Sequence, residues 1–139
     1  MLRYVIVSLG GGILFGIMDG LINGNSLAQK LYAVFDPVLR KTVNVPVGIV
    51  IDLIYGFALA GIFLMLYRSL PGDSGWLKGI TFGFMVYFFR VVMQVASQWM
   101  MFKVSSGLLL YTLISGLIEM LLLGLYFGLC LSGGRTDAN

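Results

Sequence analysis

The chain has 139 residues, 59% of them hydrophobic and 11% charged, with a formal net charge of +3 and a mean hydropathy of +0.97. Soluble domains carry roughly 25% charged residues, so a chain this apolar cannot clothe a water-facing surface, and the lipid bilayer must be its solvent. Its bases are scattered with no basic tail, which excludes nucleic acid as a partner. Histidine is absent and Cys130 is the one cysteine, which excludes an internal disulfide, zinc sites built on Cys and His, and haem held by histidine.

One domain is expected at this length. A spanning helix needs about 20 apolar residues, and four stretches qualify: Tyr4–Asn23, Val47–Tyr67, Gly79–Met101 and Leu108–Leu131. After the first span, Leu27, Leu31 and Phe35 recur at helical spacing with Gln29, Lys30 and Asp36 on other faces. This predicts a short amphipathic helix over 26–35, capped by Ser26 and lying in the headgroup region. Asn44 followed by Pro46 suits the start of the second span, since proline is tolerated in a first turn. Leu70-Pro71-Gly72-Asp73-Ser74-Gly75 reads as a turn before the third span. Ser105-Ser106-Gly107 is a short connector that forces the third and fourth spans into an antiparallel hairpin. Ser132-Gly133-Gly134 ends the fourth.

The opening Met1-Leu2-Arg3 and the small residues Ser26-Leu27-Ala28 have the outline of a removable signal peptide. The glycines and Asp19 inside the apolar run argue against one, so the first span is expected to stay. It also resembles the third span. Gly12-Ile13-Leu14-Phe15-Gly16-Ile17-Met18 aligns with Gly79-Ile80-Thr81-Phe82-Gly83-Phe84-Met85, and at the same offset Asp52 meets Glu119 and Gly61 meets Gly128. This suggests a duplicated two-helix hairpin, with repeats related by an axis along the membrane normal. Four spans put both termini on one side. Arg3, Arg68, Lys78 and Arg135 flank one face and Lys30, Arg40, Lys41 and Lys103 the other, so the positive-inside rule does not choose an orientation.

Lipid tails are as apolar as leucine, so close backbone approach, not hydrophobicity, must hold the helices together. Gly12, Gly16, Gly20 and Gly24 recur every fourth residue in the first span. Gly79 and Gly83 lie in the third, Gly116, Gly124 and Gly128 in the fourth, and Gly56 with Ala60 in the second. These predict tight helix contacts, within the chain or with a partner.

Half of the six acidic residues lie inside apolar runs: Asp19, Asp52 and Glu119. Arg90 lies inside another. Ionisable residues at such depth are costly and turn away from lipid. On the third span Tyr87, Arg90, Gln94 and Ser97 share a face. Thr112, Ser115, Glu119 and Tyr126 do so on the fourth, Asp52 and Tyr55 on the second, and Ser8, Asp19 and Asn23 on the first. Four stripes converging make a polar seam. Arg90 and Glu119 are each eleven residues into their spans, roughly 17 Å along the helix, which predicts an ion pair with Gln94 and Ser115 as secondary partners. Asp19 and Asp52 are expected to approach each other. The acids then form a proton or cation site balanced by Arg90, or a hydrogen-bond network that fixes helix register.

Other chemistry is set aside. Asp19-Gly20 matches the start of the CDP-alcohol phosphotransferase motif, but Asn23-Gly24 follows where Ala-Arg is required. The Gly-x-Gly-Asp element of intramembrane aspartyl proteases is missing. Nucleophilic catalysis lacks a histidine base. Met93, Met100 and Met101 as a Cu(I) site give way to packing, and Gly10-Gly11-Gly12 is followed by no Walker lysine. Cys130 is read as lipid-facing packing.

Asp19-Gly20 in the first span, Leu70-Pro71-Gly72 before the third and Gly116-Leu117-Ile118-Glu119 in the fourth are similar to a loose class of small bacterial four-span membrane proteins of unknown function. The resemblance covers most of the chain and implies no activity. The expectation is therefore an all-α, four-helix transmembrane bundle in the bacterial cytoplasmic membrane, non-enzymatic and without cofactor or metal. Its leading role is a packing or accessory protein that forms homo-oligomers or binds other membrane helices. The alternative is an oligomeric proton- or cation-linked carrier of a small solute.

Overall fold

The computed structural model describes residues 1–38, 42 and 44–132. Gly133 and Gly134, expected to end the last span, lie outside the described residues, as do the flanking charges Arg40, Lys41 and Arg135. The elements in order are α1 (Leu2–Gly24), α2 (Ser26–Tyr32) continued by a 3-10 turn (Ala33–Phe35), α3 (Val45–Leu66), α4 (Gly75–Tyr87), a π-helical turn (Phe88–Val92), α5 (Met93–Met101) and α6 (Ser106–Ser132). The turn joins α4 and α5 into one continuous rod, Gly75–Met101. That rod, α1, α3 and α6 are each long and apolar enough to cross a membrane. The chain is an all-α membrane bundle.

Side chains set where the helices begin. Asn44 Oδ1 accepts from the Val47 backbone N–H at 3.3 Å, with a proline in the first turn of α3. Ser105 Oγ accepts from Leu108 N–H at 3.2 Å and starts α6. The cap of α2 is Asn25 rather than Ser26, its Oδ1 accepting from Ala28 N–H at 2.9 Å. Asparagine and serine cap comparably well; what favours Asn25 is that its position at the end of α1 lets it serve both helices, its Nδ2 donating to Leu21 O and Ile22 O. Between α3 and α4, Gly72 takes a φ of +108°, a backbone conformation that favours glycine.

The helices pair as two hairpins, α1 with α3 and the α4–α5 rod with α6; α1 and α6 make the largest contact between them. Each hairpin crosses where glycine brings backbones together. In the first, a Cβ on Gly12 would lie 2.8 Å from Leu53 Cα, and one on Gly56 would lie 2.6 Å from Ser8 O. In the second, a Cβ on Gly83 would lie 2.6 Å from Met120 O, one on Gly124 2.8 Å from Gly83 Cα, and one on Gly128 2.8 Å from Gly79 Cα. Between hairpins, Gly11 makes room for the Phe127 ring and Gly10 for the Tyr126 hydroxyl.

Two glycines of the expected stripe behave differently. Gly20 and Gly24 have nothing within 4 Å of where a Cβ would sit. Gly116 meets a side chain, not a backbone: a Cβ there would lie 2.8 Å from Val91 Cγ1.

The hairpins close on each other at the end that carries the α3–α4 turn. Phe63, Phe82 and Phe127, from three spans, are at most 1% exposed and stack or meet edge to face, with Phe63 and Phe82 centroids 5.2 Å apart. Lys78 Nζ donates to Tyr67 O at 2.9 Å and lies over its ring. Arg3 donates to the Cys130 carbonyl, its Nε at 2.8 Å, so the start of α1 is tied to the end of α6. Cys130 is partly buried against this core rather than wholly lipid-facing.

Candidate functional site: a polar cavity under the first connector

Toward the opposite end the hairpins separate, and the gap is a cavity of about 200 Å³ lined by Asp19, Ile22, Asn23, Tyr32, Arg90, Val91, Gln94, Thr112, Ser115, Gly116 and Glu119. Its mouth is at the connector end, where Asn23 and Gln94 are exposed. Its floor is the pair formed by Arg90 and Glu119.

Glu119 is 5% exposed. Its Oε2 lies 3.4 Å from Arg90 Nη1, while Oε1 is buried with no hydrogen-bond partner. Burying a carboxylate oxygen without a partner is expensive, so this atom marks where the interior is least satisfied. The partner guanidinium is held from its other side by two rings. Arg90 Cζ lies 4.6 Å from the centroid of Phe15 and 4.7 Å from that of Tyr55, and these rings stack on each other at 4.9 Å. Such cation–π contacts contribute roughly 0.5–2 kcal/mol each. Arg90 Nη1 also approaches Met120 Sδ at 3.9 Å.

A local irregularity places Arg90. The π turn Phe88–Val92 widens the helix by one residue per turn, a feature that recurs at functional sites. It rotates Arg90 and Val91 relative to the glycine face of Gly79 and Gly83. Gly116, with no side chain, then admits Val91, and Arg90 reaches across to α6.

The connector helix forms the rim. Tyr32 Oη lies 3.4 Å from Thr112 Oγ1. Tyr111 Oη donates to Ile22 O at 2.6 Å and accepts from Asn25 Nδ2 at 2.8 Å. Phe35 meets Phe102 edge to face at 6.2 Å. The amphipathic segment therefore docks on α6 and the end of α5 and covers one side of the mouth.

The structure thus gathers Asp19, Asn23, Arg90, Gln94, Ser115 and Glu119 around one space. Ser115 does not bond the ion pair: its Oγ donates to Tyr111 O at 2.7 Å. Nor does Gln94; it is exposed at the mouth. Asp52 lies elsewhere. It packs over Gly16, whose Cβ would be 2.8 Å from Asp52 Oδ2, and lines a separate groove with Gly12, Ile13, Ile17, Ile49 and Leu53. Asp19 and Asp52 share no hydrogen bond; Asp19 Oδ1 accepts from Asn23 Nδ2 at 2.8 Å. Asp19 faces the α5–α6 side of α1 and Asp52 the α3 side. Tyr87 packs against the apolar core instead of the cavity. Tyr126 belongs to the α1–α6 contact, and Ser8 is fully buried at the α1–α3 crossing with its Oγ unpartnered. Ser97 caps its own helix turn through Met93 O.

Phe15, Ile22, Tyr32 and Val91 are the site residues that sequence reasoning passes over. Three are apolar and read as packing; Phe15 is visible only as part of the segment that aligns with Phe82. Among the described residues no group of three or more Cys, Asp or Glu is arranged to hold a metal ion. No family model, no curated protein and no solved structure matches this chain.

Proposed function

We propose that this is a multi-pass protein of the bacterial cytoplasmic membrane that binds a small polar solute in the cavity beneath its first connector and, as an oligomer, carries it. The observation that supports this most is Glu119: nine-tenths buried, with one oxygen paired to Arg90 and the other buried without a partner, on a residue that lines a space reaching the surface. A network serving only to lock helix register would be expected to satisfy both oxygens. Binding fits the residues better than catalysis does, since the cavity offers carboxylates and a guanidinium but neither histidine nor a paired nucleophile.

The packing or accessory role is the second reading. It draws on Gly20 and Gly24, which continue the glycine ladder of α1 onto a face that no described residue covers. Glu119→Gln and Arg90→Gln separate the two. Carriage expects both variants to keep their oligomeric state by native mass spectrometry, Arg90→Gln with lowered stability, and to show altered pH-dependent flux in liposomes that trap a pH dye. The accessory role expects lost assembly or yield in both, and lost assembly of Glu119→Gln, the milder change, would overturn the carrier reading.

A further inference from the structure

We infer that the occupant of the cavity is a small organic monocation with N–H donors, an ammonium on a short aliphatic chain, bound by Glu119 and Asp19 with its carbons on Ile22 and Val91. This rests on the reading of the cavity as a binding site and assigns its chemistry.

Charge points the first way. Asp19 and Glu119 line the cavity against one base, Arg90, so the ionised walls carry one negative charge in excess. An anion would meet this field unfavourably, and Arg90 is poorly placed to receive one. Its guanidinium is already engaged by Glu119 Oε2 and by the Phe15 and Tyr55 rings.

Hydrogen bonding points the same way. Glu119 Oε1 is an acceptor without a donor. Asp19 uses Oδ1 toward Asn23, which leaves Oδ2 to accept. Ser115 and Tyr111 spend their hydroxyl protons on backbone carbonyls. Gln94 and the remaining N–H groups of Arg90 line the space too, but the one wall atom buried without any partner is an acceptor, and a ligand N–H is what it lacks.

Size and lining narrow the class. A space of about 200 Å³ corresponds to roughly seven waters at ~30 Å³ each, enough for an amine of a few heavy atoms. A hard divalent ion would want six or more oxygens close around it, and no cluster of three acids exists among the described residues. Ile22, Val91 and Gly116 give one wall apolar character, and the Tyr32 ring stands at the mouth where a cation enters.

The test is equilibrium binding of radiolabelled propylammonium to the full chain in micelles at fixed ionic strength, with potassium, tetramethylammonium, propanol and acetate as competitors. The expected result is saturable binding that unlabelled propylammonium displaces and the other four do not. Glu119→Gln should weaken it by about tenfold or more, which is about 1.4 kcal/mol. Asp19→Asn, at a partly exposed site, should weaken it less, and Asp73→Asn in the distant turn not at all. Displacement by tetramethylammonium, which has no N–H, or by propanol or acetate overturns the chemical assignment and leaves the cavity a binding site. Failure of labelled propylammonium, acetate and propanol alike to bind overturns both.

Discussion

Arg90 and Glu119 face each other across the α5–α6 hairpin with Nη1 and Oε2 3.4 Å apart, and the guanidinium is backed by Phe15 from the other hairpin. The pair is thus a junction between hairpins as well as within one. Removing Arg90 strands a carboxylate that is 7% exposed at its side chain, whereas removing the charge of Glu119 leaves an arginine that is 30% exposed and still over two rings. Arg90→Gln should therefore destabilise more than Glu119→Gln. Breaking a fully buried pair costs about 3–5 kcal/mol; the partial exposure of Arg90 brings the expectation to about 2–4 kcal/mol. Reversible unfolding in mixed micelles measures it. Equal effects of the two substitutions would show that the burial asymmetry is unimportant.

The ring contacts make a separate expectation. Phe15→Leu keeps an apolar side chain of similar burial but removes the face that Arg90 rests on. A double-mutant cycle with Arg90→Met should give a coupling of about 0.5–2 kcal/mol. A coupling of zero would mean that Phe15 serves only as packing.

The glycines should rank by what they face. Alanine at Gly124 or Gly12 meets backbone, which cannot retreat, and should cost about 1–3 kcal/mol, the range of overpacking. Alanine at Gly16 meets the carboxylate end of Asp52, which can swing aside, and should cost less. Gly20→Ala should leave the isolated chain unchanged. Heat-induced aggregation of the four purified variants tests the order; a Gly20 variant as damaged as Gly124→Ala would reveal a contact outside this chain.

The connector depends on one cap. Asn25→Ala removes the acceptor for Ala28 N–H and the bond to Tyr111, a loss of about 1 kcal/mol by the usual scale of N-caps. Amide exchange in α2 should quicken while exchange in α6 stays slow. Uniform quickening would mean that α2 is structurally inseparable from the bundle.

Much of this fold is legible because lipid simplifies the code. Four apolar runs bounded by Asn44-Val45-Pro46, Leu70-Pro71-Gly72 and Ser105-Ser106-Gly107 allow little other than four helices, and equal depth alone brings Arg90 to Glu119. What periodicity cannot express is rotation. A straight helix places Tyr87 with Arg90, but the π turn sends Tyr87 to the core. Asp52 and Asp19 share a depth, yet α1 stands between them, because Gly12 and Gly16 draw α3 onto one side of α1 while α6 takes another. Phe15 carries no polar atom, so a search for polar stripes passes over the residue that backs the mid-span base Arg90.

Beyond Arg90 and Glu119 the interior holds Met120, Leu123, Phe127, Phe63 and Phe82, each at most 2% exposed. The vestibule is therefore a cul-de-sac: a solute admitted beneath α2 must depart by the same door while these five residues stay interlocked. On the carrier reading, through-traffic would require prising apart the aromatic plug, and Phe63, Phe82 and Phe127 rather than the charged floor would then set its slow step.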